Sequence, residues 1–134
     1  MTAAERPVPT PDAATAPYWS AAHEQRLVMP RCLDCSRYHF YPRTLCPHCG
    51  SARLEWNVCS GRGTVYSYTI VHRAPSPEFA AEVPYVVAVV EIDEGPRLMT
   101  NVVGCAPDAV RIGLPVHAVF EDVTPEVTLL KFRP

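Results

Sequence analysis

The chain has 134 residues, is 48% apolar and 19% charged, and so reads as one globular domain, or two very small ones sharing a core, rather than a disordered chain. Net charge is −2 with a single lysine, Lys131, which excludes the polybasic surface of a binder driven by nucleic-acid phosphates. No apolar run approaches the roughly 20 residues of a membrane span. Met1–Glu5 also lacks the basic and apolar parts of a signal peptide, so the expected location is the cytoplasm and the six cysteines need an explanation other than disulfides.

Residues 1–16 are expected to form a flexible, extended arm, because 6–17 are proline-rich with almost no apolar content. A short helix is predicted over 17–27. Pro17 suits a first helical turn, and Tyr18 with Ala22, then His23 with Leu27, fall at helical spacing. So short a helix is marginal alone and must dock on its own chain or on a partner.

Residues 28–55 hold Cys32-Leu33-Asp34-Cys35 and Cys46-Pro47-His48-Cys49-Gly50, two C-x-x-C pairs with ten residues between them. A tetrahedral metal needs four ligands converging on one point, and each pair offers two thiolates from a tight turn whose amides point at the sulfurs. Gly50 supplies the positive φ such a turn requires, while Ser36 stands at the equivalent place after the first pair. The intervening Ser36–Leu45 is long enough for a hairpin. Zinc is the expected ion, held by Cys32, Cys35, Cys46 and Cys49, with iron the less favoured alternative on the same donors. Four protein sulfurs leave no open coordination position, so the site reads as structural. His39 and His48 are expected at the surface, and the isolated Cys59 and Cys105 as small buried apolar residues.

Residues 56–134 read as β structure. Strands are predicted at 64–71, 85–92, 98–103, 116–121 and 127–132, with a short helical turn over 107–112 closed by Gly113. Five strands with a helical turn between the third and fourth is the order of an OB-fold barrel, although a five-stranded open sandwich gives the same string. The segment after His72 and Arg73, running to Val83 and carrying Phe79, is the longest connection, where function tends to concentrate. Tyr66 and Tyr68 lie on one strand and suit either core packing or base stacking. The Glu91, Asp93 and Glu94 group reads as a solvated hairpin end. The barrel holds six basic against nine acidic residues, opposite in sign to a nucleic-acid groove. No set of side chains has the spacing of a hydrolase triad or a phosphate loop.

The ordered combination of Tyr18-Trp19-Ser20-Ala21-Ala22, Leu27–Cys35, Phe40-Tyr41-Pro42-Arg43, Cys46–Gly50, Gly61–Ser67, Pro84–Val87, Glu94-Gly95, Thr100-Asn101 and Gly113–Val116 resembles the bacterial and archaeal family that joins a rubredoxin-like zinc ribbon to an OB-fold and accompanies acyl-CoA enzymes. The resemblance runs from about Pro17 to Phe132. It implies a non-catalytic subunit, in hetero-oligomer with a thiolase-superfamily enzyme or a lipid-transfer-like aldolase of steroid side-chain breakdown. Such a subunit stabilises its partner and helps shape the path of the CoA ester. On this view Tyr18, Trp19, Leu27 and Tyr41 face the partner, and His72, Arg73, Phe79 and Tyr66 face acyl-CoA. Rival readings are a single-stranded nucleic-acid module with Tyr66 and Tyr68 as its platform, and a stand-alone acyl-CoA binder.

Overall fold

A computed structural model describes residues 6–134. The first five residues of the expected arm lie outside the described residues. From Arg6 to Asp12 the chain has no helix or strand, and Arg6 ties it to the barrel by pairing with Glu82 at 3.0 Å and Glu121 at 2.9 Å. Asp12 then accepts from the Thr15 backbone N–H and hydroxyl, at 2.9 and 2.8 Å, forming a turn that launches the helix.

Helix α1 spans Ala16–His23, four residues short of the predicted end. It stops because Gln25 takes a left-handed conformation (φ 65°). The Arg26 N–H then reaches back to the Ala21 carbonyl at 2.8 Å and the Gln25 N–H to that of Ala22 at 2.9 Å. This reverse turn normally carries glycine, and a glutamine at that position does not announce it. Leu27 therefore leaves the helix and enters the core, with 3% of its surface exposed.

Strands β1 (Val28–Cys32) and β2 (Leu54–Val58) pair antiparallel, with Cys32 opposite Leu54. This two-stranded base carries the ribbon, and β2 crosses the boundary drawn at residues 55 and 56. The loop over 36–45, long enough for a hairpin, forms only a single bridge from Tyr38 to Arg31, and the rest of it has no regular strand. Backbone groups instead bond the loop to β1: the His39 N–H donates to the Pro30 carbonyl at 3.1 Å and the Cys32 N–H to that of Arg37 at 2.9 Å.

The barrel comprises β3 (Arg62–Val71), β4 (Tyr85–Ile92), β5 (Arg97–Val102), β6 (Pro115–Asp122) and β7 (Thr128–Arg133). It closes in the order β3-β4-β5-β7-β6, with β6 returning to β3 through Gly63 opposite Val116. Closure selects the OB-fold over the open sandwich. The short turn expected near residue 107 is a 3-10 turn, Pro107–Ala109. On β4 burial alternates, with Val86, Ala88, Val90 and Ile92 inward, so the apolar run is a tight barrel wall. These residues meet Val65, Leu98, Val116 and Phe132 in a core that continues through Met29, Leu27 and Tyr18 into the ribbon and α1. Burial of that shared apolar surface joins the small ribbon to the barrel.

Candidate metal centre and surrounding surfaces

The two C-x-x-C turns have matching geometry. Ser36 donates its backbone N–H to the Cys32 carbonyl at 2.9 Å, and Gly50 does the same to Cys46 at 2.8 Å. Cys35 N–H points at the Cys32 sulfur and His48 N–H at the Cys46 sulfur, each at 3.4 Å. Both turns end in a left-handed residue, Gly50 at φ 79° and Ser36 at φ 66°. Serine thus adopts the conformation that glycine provides in the second turn. Asp34 links the two halves by accepting from the Ser51 hydroxyl and pairing with Arg53.

The four sulfurs lie within 4.8 Å of one another. The Cys32–Cys49 separation is 3.5 Å and Cys35–Cys46 is 3.6 Å. A tetrahedron with metal–sulfur bonds of ~2.3 Å has edges of about 3.8 Å, so the donor set fits one zinc-sized ion. The electrostatics agree. The Cys35 backbone N–H holds the Cys32 thiol down at about 6, whereas Cys49, despite the Ser51 N–H, is pushed up to about 12 by the neighbouring Cys32, Cys35 and Cys46 sulfurs. Four adjacent thiolates need a cation to coexist. Bound there, zinc would cross-link the ribbon, and the closed ligand set leaves it no place to activate water.

Of the residues expected to meet a partner, Tyr18 and Leu27 are buried in the chain's own core. Tyr18 stacks edge-on against Trp19 and Phe40, with centroids at 5.1 and 5.5 Å, because α1 docks against the ribbon loop. Trp19 is half-buried and donates its indole N–H to Thr15 Oγ1 at 3.1 Å. Tyr41 is 54% exposed, and Leu33 and Leu45 on the same ribbon are similarly open.

The residues expected to face the CoA ester do not form one group. His72 and Arg73 are exposed just beyond β3, and half-buried Phe79, on a 3-10 turn at Pro77–Phe79, lies 6.1 Å from the Tyr85 ring. Tyr66 is six strand positions from His72, or about 20 Å. It sits at a bulge between Val65 and Ser67, with the Arg97 guanidinium 3.9 Å above its ring. Tyr66 and Tyr68 are both outside the core. The carboxylates at the β4–β5 end each have a partner, Arg97 for Glu91, Arg62 for Asp93 and the Ser60 N–H for Glu94, as suits a solvated turn.

Two features escaped the sequence. His39 is buried, not superficial, and neither ring nitrogen has a hydrogen-bond partner among the described residues. Burial, with His48 and Arg43 nearby, lowers its pKa. Nothing in a loop sequence marks that inward turn. The second is a cavity of about 330 Å3 under the Phe79 turn, walled by Arg6, Glu82, Asn101, Glu121 and Lys131. Cys59 is buried and its thiol is pushed up to about 12 by burial, which makes it inert, while Cys105 is half-buried. No helix among the described residues is long and apolar enough to cross a membrane.

Residues 19–55 match the rubredoxin-like zinc ribbon domain of ChsH2, and residues 56–121 match the ChsH2 C-terminal OB-fold domain. A solved chain titled Ltp2-ChsH2(DUF35) aldolase is 45% identical and superposes with a TM-score of 0.83, covering 94% of this chain and 98% of that one. A probable enoyl-CoA hydratase alpha subunit from Thermomonospora curvata is 46% identical over 129 residues, 96% of this chain but 40% of the hydratase subunit. A DUF35 domain-containing scaffold protein from Methanocaldococcus jannaschii is 40% identical over 98 residues, 72% of this chain and 69% of the scaffold. Four converging cysteines, a two-stranded ribbon and a closed five-stranded barrel, in the same order and over nearly the whole length, lead to one conclusion: the chain belongs to the ChsH2/DUF35 family of zinc-ribbon and OB-fold proteins.

Proposed function

We propose that this protein is a non-catalytic, zinc-stabilised subunit that docks on a thiolase-superfamily or lipid-transfer-like enzyme and helps shape its acyl-CoA site. The observation that carries this reading is the 45% identity, over almost its full length, to a chain of an aldolase whose title names two components. The name of the archaeal relative, a scaffold protein, points the same way. The site chemistry supports it: the thiolates converge into a closed set, the carboxylate-rich turn is internally paired, and the ribbon exposes the apolar side chains Leu33, Tyr41 and Leu45. Tyr41, already about half covered, contributes on the order of 1 kcal/mol when a partner buries the rest.

A steroid side-chain thioester is the substrate version the family resemblance suggests. The test is reconstitution: the zinc-loaded chain, a thiolase-superfamily chain from the same organism, and their mixture are assayed for turnover of acyl-CoA thioesters. Turnover by the mixture and none by this chain alone is expected. Equal turnover with and without this chain would sink the accessory role.

The nucleic-acid reading keeps one supporting observation, the exposure of Tyr66 and Tyr68. Against it, Arg97 already covers Tyr66 and the barrel carries more acid than base.

A further inference from the structure

A second cleft, of about 540 Å3, lies between the ribbon loop and the β4–β5 turn. One wall is Arg37, Tyr38, His39 and Phe40 with His48, and the other is the turn from Glu94 to Arg97. Its polar lining is dominated by donors. Arg37 and His48 are exposed, and neither has an ion-pair partner among the described residues. Glu94, the one acid on the wall, is engaged by the Ser60 N–H at 2.8 Å. Arg97 is held in place from below by Tyr66 and from the side by Glu91 at 2.8 Å. His39 lines the same wall as Arg37 but is only 4% exposed, and its two ring nitrogens are closed to solvent and have no partner among the described residues.

A cavity whose open polar groups are mostly donors calls for an acceptor-rich ligand. A lone carboxylate is too small to meet both walls of a cleft this size. A phosphate offers several oxygens to guanidinium groups arriving from two directions. Tyr38, Phe40 and Pro96 give the rest of the ligand an apolar bed. We propose that this ribbon–barrel cleft binds the phosphate of an organic phosphate ester, with Arg37 and Arg97 as the clamping cations. The site deepens the proposed function, because CoA carries such phosphates, and only the ligand's identity rests on that reading.

The test uses the full zinc-loaded chain without a partner, followed through its amide proton–nitrogen spectrum and titrated separately with CoA, dephospho-CoA and inorganic pyrophosphate at millimolar concentrations. Shifts centred on residues 36–40, 48 and 94–97 are expected. Arg37→Ala and Arg97→Gln should each weaken binding about tenfold or more, as loss of one charge-assisted contact implies. Arg37 is exposed, so that variant keeps its fold, which the rest of its spectrum verifies. A response to CoA but not to dephospho-CoA assigns the ribose phosphate, and equal responses assign the diphosphate. No shifts, shifts centred elsewhere, or binding unchanged in both variants would overturn the site. Because no partner is present, that failure leaves the docking role standing, and failure to reconstitute turnover leaves the phosphate site standing.

Discussion

Gly63→Ala is the sharpest test of the closed barrel. A Cβ placed on Gly63 would lie 2.6 Å from the Glu91 carbonyl oxygen, 2.9 Å from Val90 Cγ1 and 3.1 Å from Ile92 Cα. Restoring ordinary contact to that oxygen needs a displacement of about 0.8 Å. Gly63 is paired on both sides, to Ile92 on β4 and to Val116 on β6, so neither strand can move off without loosening the other seam. Overpacking against backbone at the upper end of its usual range, with one ladder hydrogen bond weakened, gives about 3 kcal/mol of lost stability. For a chain of this size that is a fall in melting temperature of about 10 °C. The control is Gly113→Ala, where the new Cβ meets nothing within 4 Å and only the left-handed backbone resists it. That change should cost about 1–2 kcal/mol. Thermal unfolding by circular dichroism, with hydrogen exchange at Ile92 and Val116, separates the two. If Gly63→Ala costs no more than Gly113→Ala, the close approach of β3 to β4 is not real and the barrel closure is misjudged.

Ser36→Gly should stabilise the first cysteine turn by about 1 kcal/mol, read as a raised melting temperature of the zinc-loaded protein, since glycine reaches a φ of 66° without strain. Cobalt should replace zinc with the thiolate charge-transfer bands of a tetrahedral four-sulfur site, and Cys49→Ser should weaken them, while a chelator should unfold the ribbon and alter the Trp56 fluorescence. Arg6→Ala should speed hydrogen exchange over residues 77–82 while costing under about 1 kcal/mol, because its pairs are partly exposed. The pairing with Arg6 and Lys131 outweighs burial and lowers the Glu121 pKa, so its stabilisation is complete above the ordinary value of 4.5 and is lost as pH falls below it. Acid titration of wild type against Arg6→Ala checks that sign, and a larger loss at neutral pH than at acid pH is the expected difference.

The barrel was legible because its signals are local. Thr64–Val71 and Tyr85–Ile92 carry β-branched runs bounded by glycine and proline, and the strands appear within two residues of those limits. The four cysteines were legible because spacing alone determines a metal knuckle. What stayed hidden depends on tertiary contact. Leu27 keeps helical spacing with His23, yet Gln25 ends the helix first and the core takes the side chain. Tyr18 has the composition of a docking residue, and the ribbon loop of the same chain covers it through Phe40. His39 lies in a polar loop and turns inward because its N–H is bound to Pro30 on β1. Arg6 reads as part of a loose arm until the fold brings Glu82 and Glu121 beside it.

The accessory role is tested most directly by the mass of the native assembly. Native mass spectrometry of the tagged protein, purified gently from its own host, should show one metal ion per chain and a stoichiometric complex with a larger thiolase-superfamily chain. A bare, metal-loaded monomer or homodimer, obtained repeatedly at low salt, would contradict it.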